Sequence, residues 1–155
     1  MRLLSLFITL VAVLSGTTRA RGQVRLPGDT VRWEASAYIK HDGDSVDLSQ
    51  RSRFTFYGNT QVRWQPLDDA GVSAARGKTF RPYVYVYKVT EVSDSLLLDA
   101  ATGIVTYRVT CKGQTGSIQV KKNGPVYTLH LTMERGDGTV RDRDYDLSGY
   151  TILHQ

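Results

Sequence analysis

Closely spaced aspartates are the first residues in this sequence whose spacing could bind a metal ion. Asp42, Asp44 and Asp47 resemble the start of a calcium-binding loop. Counted from Asp42, however, the fifth and twelfth positions are Val46 and Arg53, and an EF-hand loop requires oxygen ligands at both. The segment is therefore predicted to be a polar, glycine-containing hairpin turn.

A second group of aspartates, Asp142, Asp144 and Asp146, alternates with Arg141 and Arg143. Because successive side chains of a strand point to opposite faces, the carboxylates lie on one face and the guanidinium groups on the other. Carboxylates in this arrangement are expected to be solvated or to pair with a neighbouring strand. No metal site is predicted.

The sequence contains no recognisable catalytic motif. It lacks the nucleophile-elbow, phosphate-loop, C-x-x-C and H-E-x-x-H patterns, and its histidines, His41, His130 and His154, share no metal-ligand spacing. Cys111, the one cysteine, lies on the same predicted strand face as Val109 and is predicted to point into the core as a small apolar residue. We therefore predict no catalytic residues and no cofactor, and the protein is not expected to be an enzyme.

Aromatic side chains are the feature that stands out. They recur at alternating positions of predicted strands, where an eight-stranded barrel either packs them into a solid core or uses them to line a cavity for one small ligand. A filled core and a mainly apolar pocket with a few hydroxyl or arginine contacts give the same sequence pattern. The alternating positions are Trp33, Phe54, Phe56, Trp64, Tyr85, Tyr107 and Tyr127, and the predicted ligand-binding residues among them are Trp64, Tyr85, Tyr107 and Tyr127.

These aromatic residues belong to segments in which hydrophobicity has a period of two. The run at residues 31–39 alternates apolar and polar side chains, and similar alternation recurs as far as residue 153. Pairs of glycine and asparagine at residues 58–59 and 123–124 mark tight hairpins. About eight to ten strands with short connections predict a single antiparallel meander β-barrel, with a β-sandwich as the alternative. Parallel crossovers need longer connections, so a doubly wound α/β fold is not expected.

Two segments depart from this pattern. Residues 83–89 carry aromatic or β-branched side chains on both faces, so the inward face of this strand is left open. Residues 66–81 form a connection longer than a meander needs, and connections of this length are often binding loops. We expect this connection to lie near the mouth of a pocket.

The first 22 residues have the layout of a secretory signal peptide. Arg2 precedes an apolar run at residues 3–14, and small and polar residues follow. As a helix this run would be about 18 Å long, short of the roughly 30 Å hydrocarbon core of a bilayer, so no stable membrane span is predicted. Cleavage is expected after Ala20 or Gly22, which gives a domain at residues 23–155 that is periplasmic or secreted.

Removal of this leader changes the charge of the protein. The whole chain carries 20 Lys and Arg against 15 Asp and Glu, a formal net charge of +5. Residues 1–22 contain three arginines and no acidic residue, which leaves 17 basic against 15 acidic residues, or +2. No basic run after residue 22 is longer than the pair at residues 121–122. Nucleic acid is therefore not an expected partner.

Three segments together resemble the lipocalin-like proteins of the calycin group, especially the short exported bacterial ones. They are Trp33 after the turn at residues 27–29, the hairpin RFTFYGNTQVRW at residues 53–64, and the meander at residues 103–133. The resemblance implies a barrel that binds a small hydrophobic molecule. It also implies that Trp33 closes one end of the barrel and stacks with an arginine of a late strand, for which Arg143 is the better candidate and Arg141 the second.

Two functions fit this sequence. The first is an exported, non-enzymatic protein that holds a small hydrophobic ligand in the barrel interior. The second is a protein-interaction module, either an inhibitor or an envelope-assembly component, whose barrel is filled and whose partner is another protein. The interior volume distinguishes them, because only the first function requires space for a ligand.

Overall fold

A computed structural model of the chain describes residues 23–41, 44–67 and 83–154, with side chains outside the segment 37–50. The predicted leader, residues 42–43 of the aspartate turn and residues 68–81 of the long connection lie outside these described residues. Asp44 and Asp47 belong to a strand that pairs with the preceding one, so this segment is a hairpin. The strands are β1 (Arg25–Leu26), β2 (Thr30–His41), β3 (Asp44–Tyr57), β4 (Gln61–Pro66), β5 (Tyr85–Ser93), β6 (Leu96–Leu97), β7 (Thr102–Cys111), β8 (Gln114–Asn123), β9 (Val126–Glu134) and β10 (Val140–Ile152).

Eight of these strands form a closed antiparallel barrel. The order around the barrel is β10-β2-β3-β4-β5-β7-β8-β9, and β9 pairs with β10 to complete the circle. This order follows the chain, as a meander requires, and of the described strands only β1 and β6 lie outside the ring. The predicted antiparallel barrel is confirmed, and the β-sandwich alternative is wrong because the sheet closes on itself.

The tight hairpins predicted at residues 58–59 and 123–124 are confirmed, and each contains a glycine with a positive φ. Gly58 links β3 to β4 with a φ of 54°, and Gly124 links β8 to β9 with a φ of 58°. These values lie in the left-handed region, which residues with a Cβ rarely adopt and glycine adopts readily. Short turns of this kind keep consecutive strands adjacent and set their register.

The two ends of the barrel differ, and we name them by the strands that finish there. At the open end β4, β7 and β9 finish at Pro66, Cys111 and Glu134. At the closed end β3 and β8 finish at Tyr57 and Asn123. The connection between β4 and β5 leaves and returns at the open end.

Aromatic residues fill the middle of the barrel. Phe56 packs edge-on against Trp33 with ring centroids 5.5 Å apart, and Phe54 packs edge-on against Tyr145 at 4.9 Å. Phe56 also contacts Tyr107 at 5.3 Å. All five side chains are 0–1% exposed. This part of the interior is therefore a packed core.

The closed end is covered by its own small sheet. β1 pairs with β6 in two antiparallel residue pairs, and the backbone N–H of Leu98 donates a 3.0 Å hydrogen bond to the carbonyl of Val24. Leu26, Leu96 and Leu98 from this cap are buried in the same cluster as the barrel interior. Gly103 makes room for the cap, because a Cβ there would lie 2.6 Å from Leu96 Cδ1.

Candidate functional site

A cavity of about 230 Å³ opens into the barrel at the open end, and we call it the mouth. Its floor consists of buried or nearly buried side chains from three strands: Tyr87 of β5, Cys111 of β7, and Leu131 and Met133 of β9. Tyr85 forms one wall and is only partly buried. The alternation of each strand turns these side chains inward, so the same periodicity that builds the core also builds the floor.

The structure assigns the inward face of β5, which the sequence pattern at residues 83–89 leaves open. Tyr85 and Tyr87 of β5 face the interior, and Val84 and Val86 are 51% and 39% exposed on the outside. In the barrel register Val86 lies opposite Arg63, whose guanidinium carbon stands 4.8 Å from the ring centroid of Tyr57. The valines therefore lie among long polar side chains on the outer surface.

Cationic side chains surround the entrance of the mouth. The lining includes Lys112, Arg135 and Arg141, together with the amide of Gln114. The Lys112 ammonium lies 4.5 Å from the centroid of the Tyr85 ring, within the range of a cation–π contact. The mouth thus combines a mainly apolar floor with a basic rim.

Burial keeps the acidic hydroxyl and thiol groups of the mouth neutral. It raises the pKa of the Tyr87 phenol, and it raises the pKa of the Cys111 thiol, which the neighbouring Lys112 lowers only in part. Burial also raises the pKa of Tyr145, against the opposing influence of the nearby Arg143 guanidinium. A neutral thiol is a weak nucleophile, so Cys111 contributes to the floor of the cavity as a small apolar side chain.

The structure brings two of the predicted ligand-binding residues to the open end. Tyr85 lines the mouth, and Trp64 packs against it with ring centroids 5.5 Å apart. Trp64 is 5% exposed, and among the described residues its indole Nε1 has no hydrogen-bond partner. The other two residues lie elsewhere. Tyr107 is in the packed middle, and Tyr127 is near the closed end, where its hydroxyl donates a 2.8 Å hydrogen bond to the carbonyl of Leu98.

The two residues predicted to close the barrel lie in opposite halves of it. Trp33 is near the start of β2, toward the closed end, where its ring contacts Tyr127 at 5.9 Å and Tyr150 at 6.1 Å. Arg143 is near the start of β10, which runs antiparallel to β2, so it lies toward the open end. Arg141, the second candidate, lines the mouth.

Lys122 is a buried cation that the sequence analysis did not single out. It is 9% exposed, and its Nζ donates a 2.6 Å hydrogen bond to the carbonyl of Leu98. Its ammonium also lies 5.1 Å from the ring centroid of Tyr127. Its position in β8 could have predicted its burial, because it lies on the same strand face as the buried Ile118 and Val120.

Two of the three aspartates of β10, Asp142 and Asp144, pair across the outer face of the barrel, as predicted. His130 Nδ1 is 2.8 Å from Asp144 Oδ1, and its Nε2 is 3.0 Å from the Thr132 hydroxyl. That hydroxyl donates a 2.8 Å hydrogen bond to Asp142. Within the described residues no group of histidine, cysteine, aspartate or glutamate is arranged to hold a metal ion.

A larger cleft of about 1120 Å³ lies outside the closed end, between residues 24–30, residues 152–154 and the β3–β4 turn. Turn residues such as Gly58 and Asn59 form much of its lining. Its one aspartate, Asp29, already accepts a 2.9 Å hydrogen bond from the backbone N–H of Arg25. We regard the smaller mouth as the better candidate site, because it combines a buried apolar floor with converging polar groups.

Comparison with known proteins gives no relative: no family model, no curated protein and no solved structure matches this chain. In the part of the chain that the structure describes, no helix is long and apolar enough to cross a membrane.

Proposed function

We propose that this protein is a lipocalin-like, non-enzymatic binding protein that holds a small hydrophobic ligand in the mouth of its barrel. The observation that carries this proposal is the floor of the mouth, where Tyr87, Cys111, Leu131 and Met133 leave an accessible cavity instead of closing the core. A closed eight-stranded antiparallel barrel is consistent with a lipocalin-like fold.

The volume of the mouth limits the size of the ligand. The cavity measures about 230 Å³, whereas an engineered apolar cavity of about 150 Å³ holds benzene. Pockets for drug-sized molecules usually measure about 300–1,000 Å³. A ligand on the order of ten non-hydrogen atoms fits by this comparison, and a longer one would protrude into solvent.

Binding without turnover is supported by the chemistry of the floor. Its thiol and phenol, from Cys111 and Tyr87, have pKa values that burial raises. Neither group is ionised at neutral pH, so neither is activated as a nucleophile or a general base.

Export belongs to the same proposal. The predicted leader over residues 1–22 would be removed, and residues 23–155 would act in the periplasm or outside the cell. Expression of the whole chain in a bacterial host, followed by mass measurement of the product, tests this step. A product that begins at Arg21 or Gln23 supports it, and recovery of the uncleaved chain from the cytoplasm contradicts it.

The lone cysteine provides a direct test of ligand binding. Cys111 lies on the floor, so a bound ligand should slow its alkylation by a small thiol reagent. We expect saturable protection by small aromatic and aliphatic compounds, and the same dissociation constants from the quenching of Trp64 fluorescence in a Trp33→Phe background. Leu131→Phe, which fills part of the floor, should weaken binding at least fivefold. Absence of saturable protection across a panel that includes neutral, anionic and cationic compounds would contradict the proposal.

The second candidate function is a protein-interaction module, and the packed middle of the barrel favours it. Trp33, Phe56 and Tyr107 are fully buried, and the Phe56 ring contacts both of the others in the middle of the barrel. A small mouth can be incidental in a protein that acts through its surface. Retention of a defined partner from envelope extract by the Leu131→Phe variant, with no ligand binding by the natural chain, would support this function instead.

A further inference from the structure

We infer that the ligand of the mouth carries an acidic head group, so that the site selects small amphipathic anions, such as aromatic or short aliphatic carboxylates, over neutral and cationic molecules of the same shape. This inference rests on the proposed binding function and adds a substrate class to it. Its basis is the charge at the rim of the mouth.

Every charged side chain that the structure describes in the lining is a cation. These are Lys112, Arg135 and Arg141, and the described lining contains no aspartate or glutamate. Lysine and arginine are hydrogen-bond donors without acceptor atoms. The rim therefore offers donors and positive charge to any molecule whose apolar part lies on the floor.

The carboxylates nearest in sequence to this rim are engaged elsewhere. Glu134 lies 3.4 Å from the hydroxyl of Thr115 on the outside of the barrel, and Asp137 accepts hydrogen bonds from the backbone and side chain of Thr139. Asp142 and Asp144 lie on the outer face, where they contact Thr132 and His130 respectively. The hydrogen bonds from Thr139 lower the pKa of the Asp137 carboxyl, and the positive charge of the nearby Arg135 lowers it further. The cations that carry the inference are therefore Lys112 and Arg141, beside which the described lining contains no carboxylate.

Arg141 is the cation best placed to bind an acidic head group. It lines the cavity together with Tyr87 and Leu131, and in the β9–β10 register it lies opposite Met133 of the floor. A guanidinium can donate two parallel hydrogen bonds to one carboxylate. Lys112, held over the Tyr85 ring at the entrance, adds a second positive charge.

The arrangement orients an amphipathic ligand. An apolar body gains free energy by contacting Leu131 and Met133 on the floor, and the head group stays at the rim, where Arg141 and water can both reach it. A cationic head group in the same position would be repelled by the three rim cations. The floor therefore sets the size of the ligand and the rim sets its charge.

Three probes with one skeleton separate these two contributions. The acid 3-phenylpropionate, the alcohol 3-phenylpropanol and the amine 3-phenylpropylamine share an aromatic body and differ in head group. Their affinities can be measured by titration calorimetry and by protection of Cys111 from alkylation. We expect the acid to bind about tenfold more tightly than the alcohol, as for one charge-assisted hydrogen-bonded contact, and the amine to show no saturable binding.

A charge-matched pair of variants locates the effect. Arg141→Gln should remove the tenfold preference for the acid and change the affinity of the alcohol by less than about twofold. Lys121→Gln makes the same change of net charge on the exposed outer side of β8 and should leave all three affinities unchanged. Far-UV circular dichroism and the melting temperature establish that each variant is folded. Lys112→Gln provides a second rim variant if Arg141→Gln does not fold.

The outcomes distinguish this inference from the function on which it rests. If the alcohol binds as tightly as the acid, the anion preference is overturned and the binding function stands. If none of the three probes binds, both fail. If Lys121→Gln weakens the acid as much as Arg141→Gln does, net charge rather than the rim is responsible, and the inference is overturned. Raising the salt concentration should weaken the acid and leave the alcohol unchanged, because ions screen only the charged contact.

Discussion

The two ends of this barrel are made from the same alternating strands but differ in structure: a small two-stranded sheet covers one end, and a cavity lies at the other. At the closed end, Leu96 and Leu98 of the cap enter the core, and Lys122 and Tyr127 both donate to the carbonyl of Leu98. At the open end, the described residues leave a cavity whose rim cations have no carboxylate beside them in the lining. At the closed end the ammonium of Lys122 is hydrogen-bonded to a backbone carbonyl, whereas at the open end the rim cations can bind a ligand.

This difference follows from the cap at the closed end, where β1 pairs with β6 and the carbonyl of Leu98 accepts the hydrogen bonds of Lys122 and Tyr127. A buried cation is tolerated where a carbonyl accepts its hydrogen bond, as at Lys122, and then it stabilises the fold. A cation at a partly open rim keeps its hydration and can exchange water for a ligand. Four sets of measurements test this comparison, beginning with the largest effect expected from a single substitution and ending with the smallest.

Removing the central aromatic residue of the closed half should have the largest effect. Trp33 is fully buried against Phe56 and Tyr127, so Trp33→Ala should lower the free energy of unfolding by about 3–5 kcal/mol. Tyr85→Ala, at the partly exposed wall of the mouth, should lower it by about 1 kcal/mol. Urea unfolding of both variants measures the difference. A Trp33→Ala variant as stable as Tyr85→Ala would show that the closed half is not the stabilising half.

The same lysine substitution should have different effects at the two ends. Lys122→Met removes a 2.6 Å hydrogen bond to the Leu98 carbonyl and should cost about 1.5–3 kcal/mol of stability, as for a hydrogen bond to a charged group. Lys112→Met loses only its contact with the Tyr85 ring and should cost about 0.5 kcal/mol. Thermal unfolding of both variants tests this, and equal losses would contradict the distinction between a satisfied and an available cation.

Alkaline pH should destabilise the barrel through its buried phenols. Burial raises the pKa of Tyr87, Tyr107 and Tyr145 in the folded state, so the folded protein favours their neutral forms. Their contribution is fully present below the unfolded-state pKa of about 10 and is lost at higher pH, by about 1.4 kcal/mol per pH unit for each phenol. Urea unfolding between pH 9 and pH 11 measures this dependence.

Tyr107→Phe provides the control for the alkaline prediction, because it removes one buried phenol from the packed middle. The variant should lose less stability between pH 9 and pH 11 than the natural chain. Tyrosinate absorbance that rises near pH 10 for every tyrosine of the folded protein would contradict the expectation.

The smallest expected effect concerns the fit between the cap and the barrel. A Cβ at Gly103 would press against Leu96, which is fully buried, so Gly103→Ala should cost about 1 kcal/mol through overpacking. Gly136→Ala, in a turn at the open end with no heavy atom within 4 Å of the added Cβ, should change stability by less than about 0.5 kcal/mol. Chemical unfolding compares the two, and an equal response would mean that the cap is loosely packed.

Much of the fold follows from local patterns. Alternation around Trp33, the glycine turns and the short connections predict the antiparallel meander. The parity of β10 predicts the outer-face aspartates that pair with His130 and Thr132. The face of β5 could not be predicted, because tyrosine and valine both suit a half-buried strand and only the closed barrel shows which side is interior.

The candidate site was predicted only in part. Trp64 and Tyr85 meet at the open end, but Tyr107 and Tyr127 share the same alternation and lie in the middle and near the closed end. Alternation gives the face of a strand and not the position along the barrel axis. The rim cations were missed for a related reason: Lys112 and Arg135 lie at strand ends, where the pattern stops, and Arg141 was considered only as a partner for Trp33.

By itself, the sequence determined the all-β class, the antiparallel order and the inward alternation of the aromatic residues, because these depend on neighbouring residues along the chain. Only the tertiary structure decided which end is closed and which is open. Lys122 and Tyr127 reach the Leu98 carbonyl across 24 and 29 residues, and the mouth combines side chains from β5, β7, β9 and β10. Such contacts depend on how the sheet closes, and no local pattern encodes that closure.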